Sequence, residues 1–298
     1  MIYAYFPGCS LESTAWDFDR STRAVCAALG VDLVEIEGWV CCGSTPAHSQ
    51  NASLAVALPA INLQKASAMN APVVTACASC YSRLRFANHQ VRSSASERGK
   101  IEEITGASYD GSVEVIHLLD LFTNRVGVSV IRKKIKRPLT GLKVASYYGC
   151  LLSRPPAISA FESADHPVSM DELNEAAGAT AVQWPYKTEC CGASLSLTDP
   201  TITSRLGNKL LTMARQAGAD CLSVACPLCQ SNLDLRQSDA LAKSASTEPM
   251  PVLYITQLLG LALDLTPDAL GLSALSVNAD KLIKRREDVA LAQGQTAP

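Results

Sequence analysis

The chain has 298 residues, 48% of them hydrophobic, a formal net charge of −2 and twelve cysteines. That length can bury one large core or two ordinary ones, and the near-neutral balance disfavours nucleic acid, which selects a basic face. MIYAYFPGCSLEST at the start lacks a basic n-region and a sustained apolar run, and ITQLLGLALDL is too short to cross a bilayer, so a cytoplasmic protein without a transmembrane segment is expected.

In chain order, IYAYFPG (2–8) reads as a strand and DFDRSTRAVCAALG (17–30) as a helix closed by Gly30. VDLVEIE (31–37) alternates like a strand. NASLAVALPAINLQKASAMN (51–70) reads as a helix capped by Asn51, and APVVTAC (71–77) as a strand. CYSRLRFANHQ (80–90) is helical, and VEVIHLLDLF (113–122) passes from strand into helix. The order then repeats, with strands at LKVASYY (142–148), ATAVQW (179–184) and DCLSVAC (220–226). Strands alternating with helices predict an α/β fold: two tandem, pseudo-twofold related units, each a mostly parallel sheet flanked by helices. The expected division is 1–127 and 142–270, joined by a basic linker at 128–141 (VSVIRKKIKRPLTG) and followed by a tail at 271–298. The linker reads as a solvated charge run, with a docking strip for an acidic partner as the rival reading.

Cysteine spacing makes the duplication explicit. In the first half Cys9 is followed by the doublet Cys41-Cys42-Gly43 and then by Cys77-x-x-Cys80. In the second, Cys150 is followed by Cys190-Cys191-Gly192 and then by Cys226-x-x-Cys229. The interval from Cys42 to Cys77 equals that from Cys191 to Cys226, while the interval before the doublet is somewhat longer in the second half. YAYFPGC resembles VASYYGC, and VVTACASCYSRL resembles LSVACPLCQSNL; VIHLLDL (115–121) aligns with ITQLLGL (255–261), which sets His117 over Gln257. Cys26 and Cys221 fall outside the scheme and read as buried thiols.

Each cysteine group follows a predicted strand. The carboxyl ends of parallel strands share one edge, where ligands bind, so five thiols should converge in each unit. Disulfides suit secreted mini-proteins better than a chain of this size in a reducing compartment. Zinc needs four ligands and leaves a fifth thiol idle; a thioredoxin-like dithiol leaves three idle. A cubane cluster commonly uses a short CxxCxxC run, which is absent from the sequence. Five thiols instead suit a larger, less symmetric iron–sulfur assembly. Gly43 and Gly192, and Gly8 and Gly149 before the first cysteines, would let backbone approach it and offer N–H groups to its charge.

The double pattern resembles the CCG cysteine-rich domain family and, in length and arrangement, the B-type subunits of heterodisulfide reductases, over residues 1 to about 270. The resemblance implies two noncubane 4Fe–4S clusters, one held by Cys9, Cys41, Cys42, Cys77 and Cys80, the other by Cys150, Cys190, Cys191, Cys226 and Cys229. It further implies that the clusters face each other across the interface with a small disulfide between them. Two one-electron centres flanking an S–S bond can supply one electron each without releasing a thiyl radical, which gives the duplication its chemical purpose. The expected activity is disulfide reduction, or oxidation of thiols or carrier-bound sulfur in reverse.

The sequence holds no GxGxxG, P-loop or ferredoxin run of its own. The resemblance implies a ferredoxin-like C-type subunit and a flavoprotein A-type subunit as partners, with a small disulfide or thiol, or a lipoate-type carrier, as substrate. The rival reading is an electron-transfer subunit of a lactate, glycolate or succinate:quinone oxidoreductase. A zinc-stiffened scaffold is a third.

His48, near the first doublet, is the candidate proton donor, with a solvated loop histidine as the plainer reading. His117 reads as a capping or packing residue, and His89 and His166 as surface residues. Tyr186 and Lys187 are weak candidates for contacting an anionic substrate.

Overall fold

The computed structural model describes residues 1–44, 47–159, 161–241 and 248–292, apart from the side chains of residues 47, 48, 290 and 292. Among these residues the strands form two four-stranded sheets. The first joins β1 (Ile2–Tyr5), β2 (Asp32–Glu35), β3 (Val73–Thr75) and β4 (Val115–His117) in the order β2-β1-β3-β4. The second joins β5 (Lys143–Tyr147), β6 (Thr180–Ala181), β7 (Cys221–Val224) and β8 (Val252–Tyr254) in the order β6-β5-β7-β8. Every pairing is parallel, as the alternation of strands and helices required.

Local signals act where the sequence put them. Gly30 adopts φ 81° and closes the helix Trp16–Leu29. The Asn51 side chain accepts from the N–H groups of Ser53 and Leu54 to start the helix Ala52–Ser67. Residues 128–141 include the helix Val128–Lys134, with Ile131 and Leu139 buried and Arg132, Lys133, Lys134 and Lys136 exposed. The N–H groups of Lys136 and Arg137 both donate to the Ala262 carbonyl, so this segment lies against the second unit.

One repeat alignment needs correction. Thr75 pairs with His117 in the first sheet, and Val224 pairs with Tyr254 in the second. Thr75 and Val224 each stand two residues before a CxxC, so His117 corresponds to Tyr254 and not to Gln257. The sequence misleads because Leu118-Leu119 and Leu258-Leu259 match by chance three residues out of register.

Apolar side chains of both sheets merge into one core. Where the units meet, Phe18 stacks on Tyr254 with centroids 3.9 Å apart and planes 2° from parallel. Beside this stack, the hydroxyls of Ser21 and Thr256 lie 2.7 Å apart and Gln257 donates to Asp17 at 3.2 Å. On the other flank Tyr81 donates to the Ser159 carbonyl at 2.8 Å.

Burial lifts the Asp17 carboxyl to about 6, against backbone donors and Gln257, which favour its charge. A folded-state value above the unfolded one makes this contribution complete below about pH 4 and lost as pH rises through about 6. Asp17→Asn should therefore stabilise the protein by about 3 kcal/mol at pH 7.5 and change little at pH 4. Thermal melts of both proteins at the two pH values check this; equal shifts at both would contradict it.

Candidate metal centres

Strand order positions the thiols. β1 leads into Cys9, β2 into Cys41-Cys42 and β3 into Cys77, and these three strands are adjacent in the sheet. β5, β6 and β7 do the same for Cys150, Cys190-Cys191 and Cys226. Cys9 and the CxxC thus flank the β1/β3 boundary, where chain direction across the sheet reverses and parallel α/β folds bind ligands.

The sulfurs form a series rather than two isolated nests. In the first unit Cys41 contacts Cys42, Cys42 lies 3.4 Å from Cys80, and Cys80 contacts Cys77. Cys77 and Cys226 of the second unit each act on the other's titration, which makes them neighbours across the interface. From there Cys226 contacts Cys229, which lies 3.6 Å from Cys191. Cys150 contacts Cys190 at the outer edge of the second set. Cys9 and Cys190 are exposed, Cys41 and Cys150 half-buried, and the other six repeat cysteines buried. All twelve cysteines are free thiols.

Certain members of the series are biased toward thiolate, the form that binds metal. Contact with the Cys41 and Cys80 thiols draws Cys42 down to about 4 despite burial, with help from the Ser44 N–H and the Arg83 charge. Cys190 is drawn down to about 6 by the Cys150 thiol and the Gly192 N–H. Cys226 falls well below the ordinary thiol range through Cys229 and Cys77. Cys26 and Cys221, by contrast, are pushed up to about 12 by burial; they are core thiols, as the sequence suggested.

Glycines shape both sites. Gly8 and Gly149 adopt φ +73° and +70°, and a Cβ on either would lie 2.9 Å from the sulfur of Cys80 or Cys229 respectively. The first cysteine's loop is thereby pressed onto the CxxC. The N–H groups of Gly43 and Gly192 point back at Cys41 and Cys190 sulfurs, at 3.5 and 3.3 Å. Gly8→Ala should cost about 1–2 kcal/mol in backbone strain and displace Cys80. The measurable result is a loss of about half the bound iron at a nearly normal circular dichroism spectrum; full iron content would contradict the role assigned to Gly8.

Residues the sequence analysis did not single out hold the doublets in place. Asn62 accepts from the Val40 N–H at 2.8 Å and donates to the Val40 carbonyl at 2.9 Å, fixing the approach to Cys41. Asn232 donates to the Cys191 carbonyl at 3.2 Å, with its amide nitrogen 3.8 Å from the Cys191 sulfur. The available signal was an asparagine on an otherwise apolar helix face in LPAINLQKA. Lys187 corrects an expectation: it is buried and paired with Asp171, so its ammonium is not free for a substrate. Its carbonyl instead accepts from Tyr148 and Gly149 at 2.8 and 3.2 Å, setting the Cys150 loop beside the second doublet. Tyr186 is half-buried, with Lys209 4.8 Å over its ring.

His117 is fully buried, donates from Nε2 to the Ala76 carbonyl at 3.0 Å and accepts from the Leu119 N–H at Nδ1. Burial lowers it to about 4, so it is a neutral capping residue. His89 and His166 are exposed. His48 belongs to the short helix Ala47–Gln50, but its side chain lies outside the described residues.

Among the described residues, no three His, Cys, Asp or Glu side chains gather as a single ion would need. Five reduced thiols per unit, with a glycine pressed against the CxxC sulfur, fit a sulfur-ligated iron assembly.

Fold and thiol layout together define a duplicated, cysteine-rich α/β protein. The chain belongs to the CCG cysteine-rich domain family, whose model matches residues 3–85 and 144–234. It is 35% identical over 286 residues to the 8-methylmenaquinol:fumarate reductase membrane anchor subunit of Wolinella succinogenes, covering 94% of this chain and 98% of the relative. It is 32% identical over 274 residues to the B subunit of the ferredoxin/F420H2-dependent CoB-CoM heterodisulfide reductase of Methanosarcina acetivorans, covering 90% and 91%. A crystal structure of a hypothetical protein from Helicobacter pylori shares the fold, with a TM-score of 0.73 at 13% identity; the match covers 93% of this chain and 52% of that one. Among the described residues no helix is long and apolar enough to cross a membrane.

Proposed function

We propose that this chain is the catalytic subunit of a heterodisulfide reductase-like complex, reducing a small disulfide, or oxidising thiols or carrier-bound sulfur in reverse. The CCG family match and the heterodisulfide reductase relatives support bound iron–sulfur clusters. We assign one noncubane 4Fe–4S cluster to each unit, held by the five cysteines of its repeat. The observation that carries this reading is the matched pair of close sulfurs, Cys42–Cys80 at 3.4 Å in the first unit and Cys191–Cys229 at 3.6 Å in the second, with Cys77 and Cys226 as neighbours between them.

Converting R–S–S–R′ to RSH and R′SH takes two electrons and two protons. When bound, such clusters supply electrons singly. The chain contributes two ligand sets side by side, so that both electrons can be delivered within one subunit. Exposed Cys9 and Cys190 mark the edge open to substrate, while buried Cys77 and Cys226 hold the inner boundary. His117, with both nitrogens engaged, moves no proton; His48 is the proposed donor. A ferredoxin-like C-type subunit and a flavoprotein A-type subunit would supply the electrons, with a small disulfide or a lipoate-type carrier as their acceptor.

The Wolinella relative favours a second reading, an iron–sulfur relay within a quinol:fumarate-type complex. Adding substrate thiol to the oxidised, anaerobically purified protein separates the two. A thiol-dependent paramagnetic signal is expected from the catalytic subunit; intact clusters that ignore every thiol offered would leave the relay.

A further inference from the structure

The two halves repeat their cysteines faithfully but not their surroundings. Three residues beyond the last CxxC cysteine the first unit carries Arg83 and the second Asn232. Asn232 occupies its place as a buried neutral amide against Cys191. Arg83 is half-buried on the helix Ala78–Ser93, one turn beyond Cys80 and so on the same helix face, its guanidinium 5.4 Å over the Phe86 ring. Other differences run in the same direction. Ser44 and Ser79 share a hydrogen bond next to Cys42 and Cys80, whereas the second unit has Ala193 and Leu228. Its CxxC also contains Pro227, which has no N–H to offer a sulfur, where the first has Ala78. Glu189 directly precedes the second doublet, where the first unit has Val40. Arg154, which reaches the Thr188 carbonyl, is paired with Asp165.

Adding an electron makes a cluster more negative. Net charge, hydrogen bonds and polarity around the sulfurs therefore set its potential, and a nearby cation favours the reduced form. We propose that Arg83, against Asn232 in the second unit, makes the two centres unequal, so that the first unit takes up an electron before the second. The first unit then serves as the holding site and the second as the stronger reductant. This rests on the assignment of one cluster to each unit.

The test is an anaerobic potentiometric titration of the full chain, followed by EPR, with iron and sulfide measured on the same samples. Two distinct one-electron steps are expected in the native protein, and Cys191→Ala, retaining only the first centre, should keep the higher one. Arg83→Gln should make reduction at that step about tenfold less favourable, about 59 mV for one electron, without moving the other; Arg83→Lys should restore most of it. Ser44→Ala, a smaller change beside Cys42, should shift the same step the same way. Coincident steps in fully loaded native protein would overturn the inference, as would an Arg83→Gln shift shared equally by both. Iron absent from the native protein would instead remove the cluster assignment on which the inference stands.

Discussion

Cys42→Ala is expected to halve the bound iron and abolish disulfide reduction while the other unit keeps its centre; Cys191→Ala should do the same from the other side. Cys42 lies between its neighbour Cys41 and Cys80, whose sulfur is 3.4 Å away. It is also drawn toward thiolate in the first unit, so on the proposed assignment its loss removes a ligand and local charge that attracts iron. Cys26→Ala is the control. That thiol is buried in the helix Trp16–Leu29, away from the repeat, and is pushed up to about 12. Its removal should cost about 1 kcal/mol of stability and no iron. Equal iron in the Cys42→Ala and native proteins would contradict the ligand assignment.

Phe18→Ala is expected to cost about 3–5 kcal/mol in unfolding free energy. The ring is fully buried and stacks flat on Tyr254 across the interface, so truncation loses both transferred apolar surface and an aromatic contact. Tyr254 in turn donates to Gln230, the residue after Cys229. A cavity beneath it would therefore loosen the second CxxC against the first. Denaturant unfolding measures the cost, and the loaded protein should show weakened magnetic interaction between its two centres. A change below about 1 kcal/mol would show that the units are held together elsewhere.

The parts of this protein legible in its sequence are those governed by local rules or by repetition. Strand–helix alternation announced both sheets, Asn51 and Gly30 marked helix ends, and the equal interval between doublet and CxxC exposed the duplication. Placement after parallel strands implied that the thiols would converge; Cys42 and Cys80 of the first unit, and Cys191 and Cys229 of the second, do lie close together. The unreadable parts depend on packing between elements distant in the chain. Nothing local to Cys77 or Cys226 signals that they are neighbours across the interface. Lys187 looked available because its partner Asp171 lies on another helix. His117 was set over the wrong residue because paired leucines imitate a register that only strand pairing fixes.

The most direct test is a crystal structure of the anaerobically purified protein with iron located by its anomalous scattering. Two multi-iron centres are expected, one in each unit, with Cys77 and Cys226 between them. A single centre, a lone zinc ion in either unit, or two centres with those cysteines facing away from one another would contradict the account.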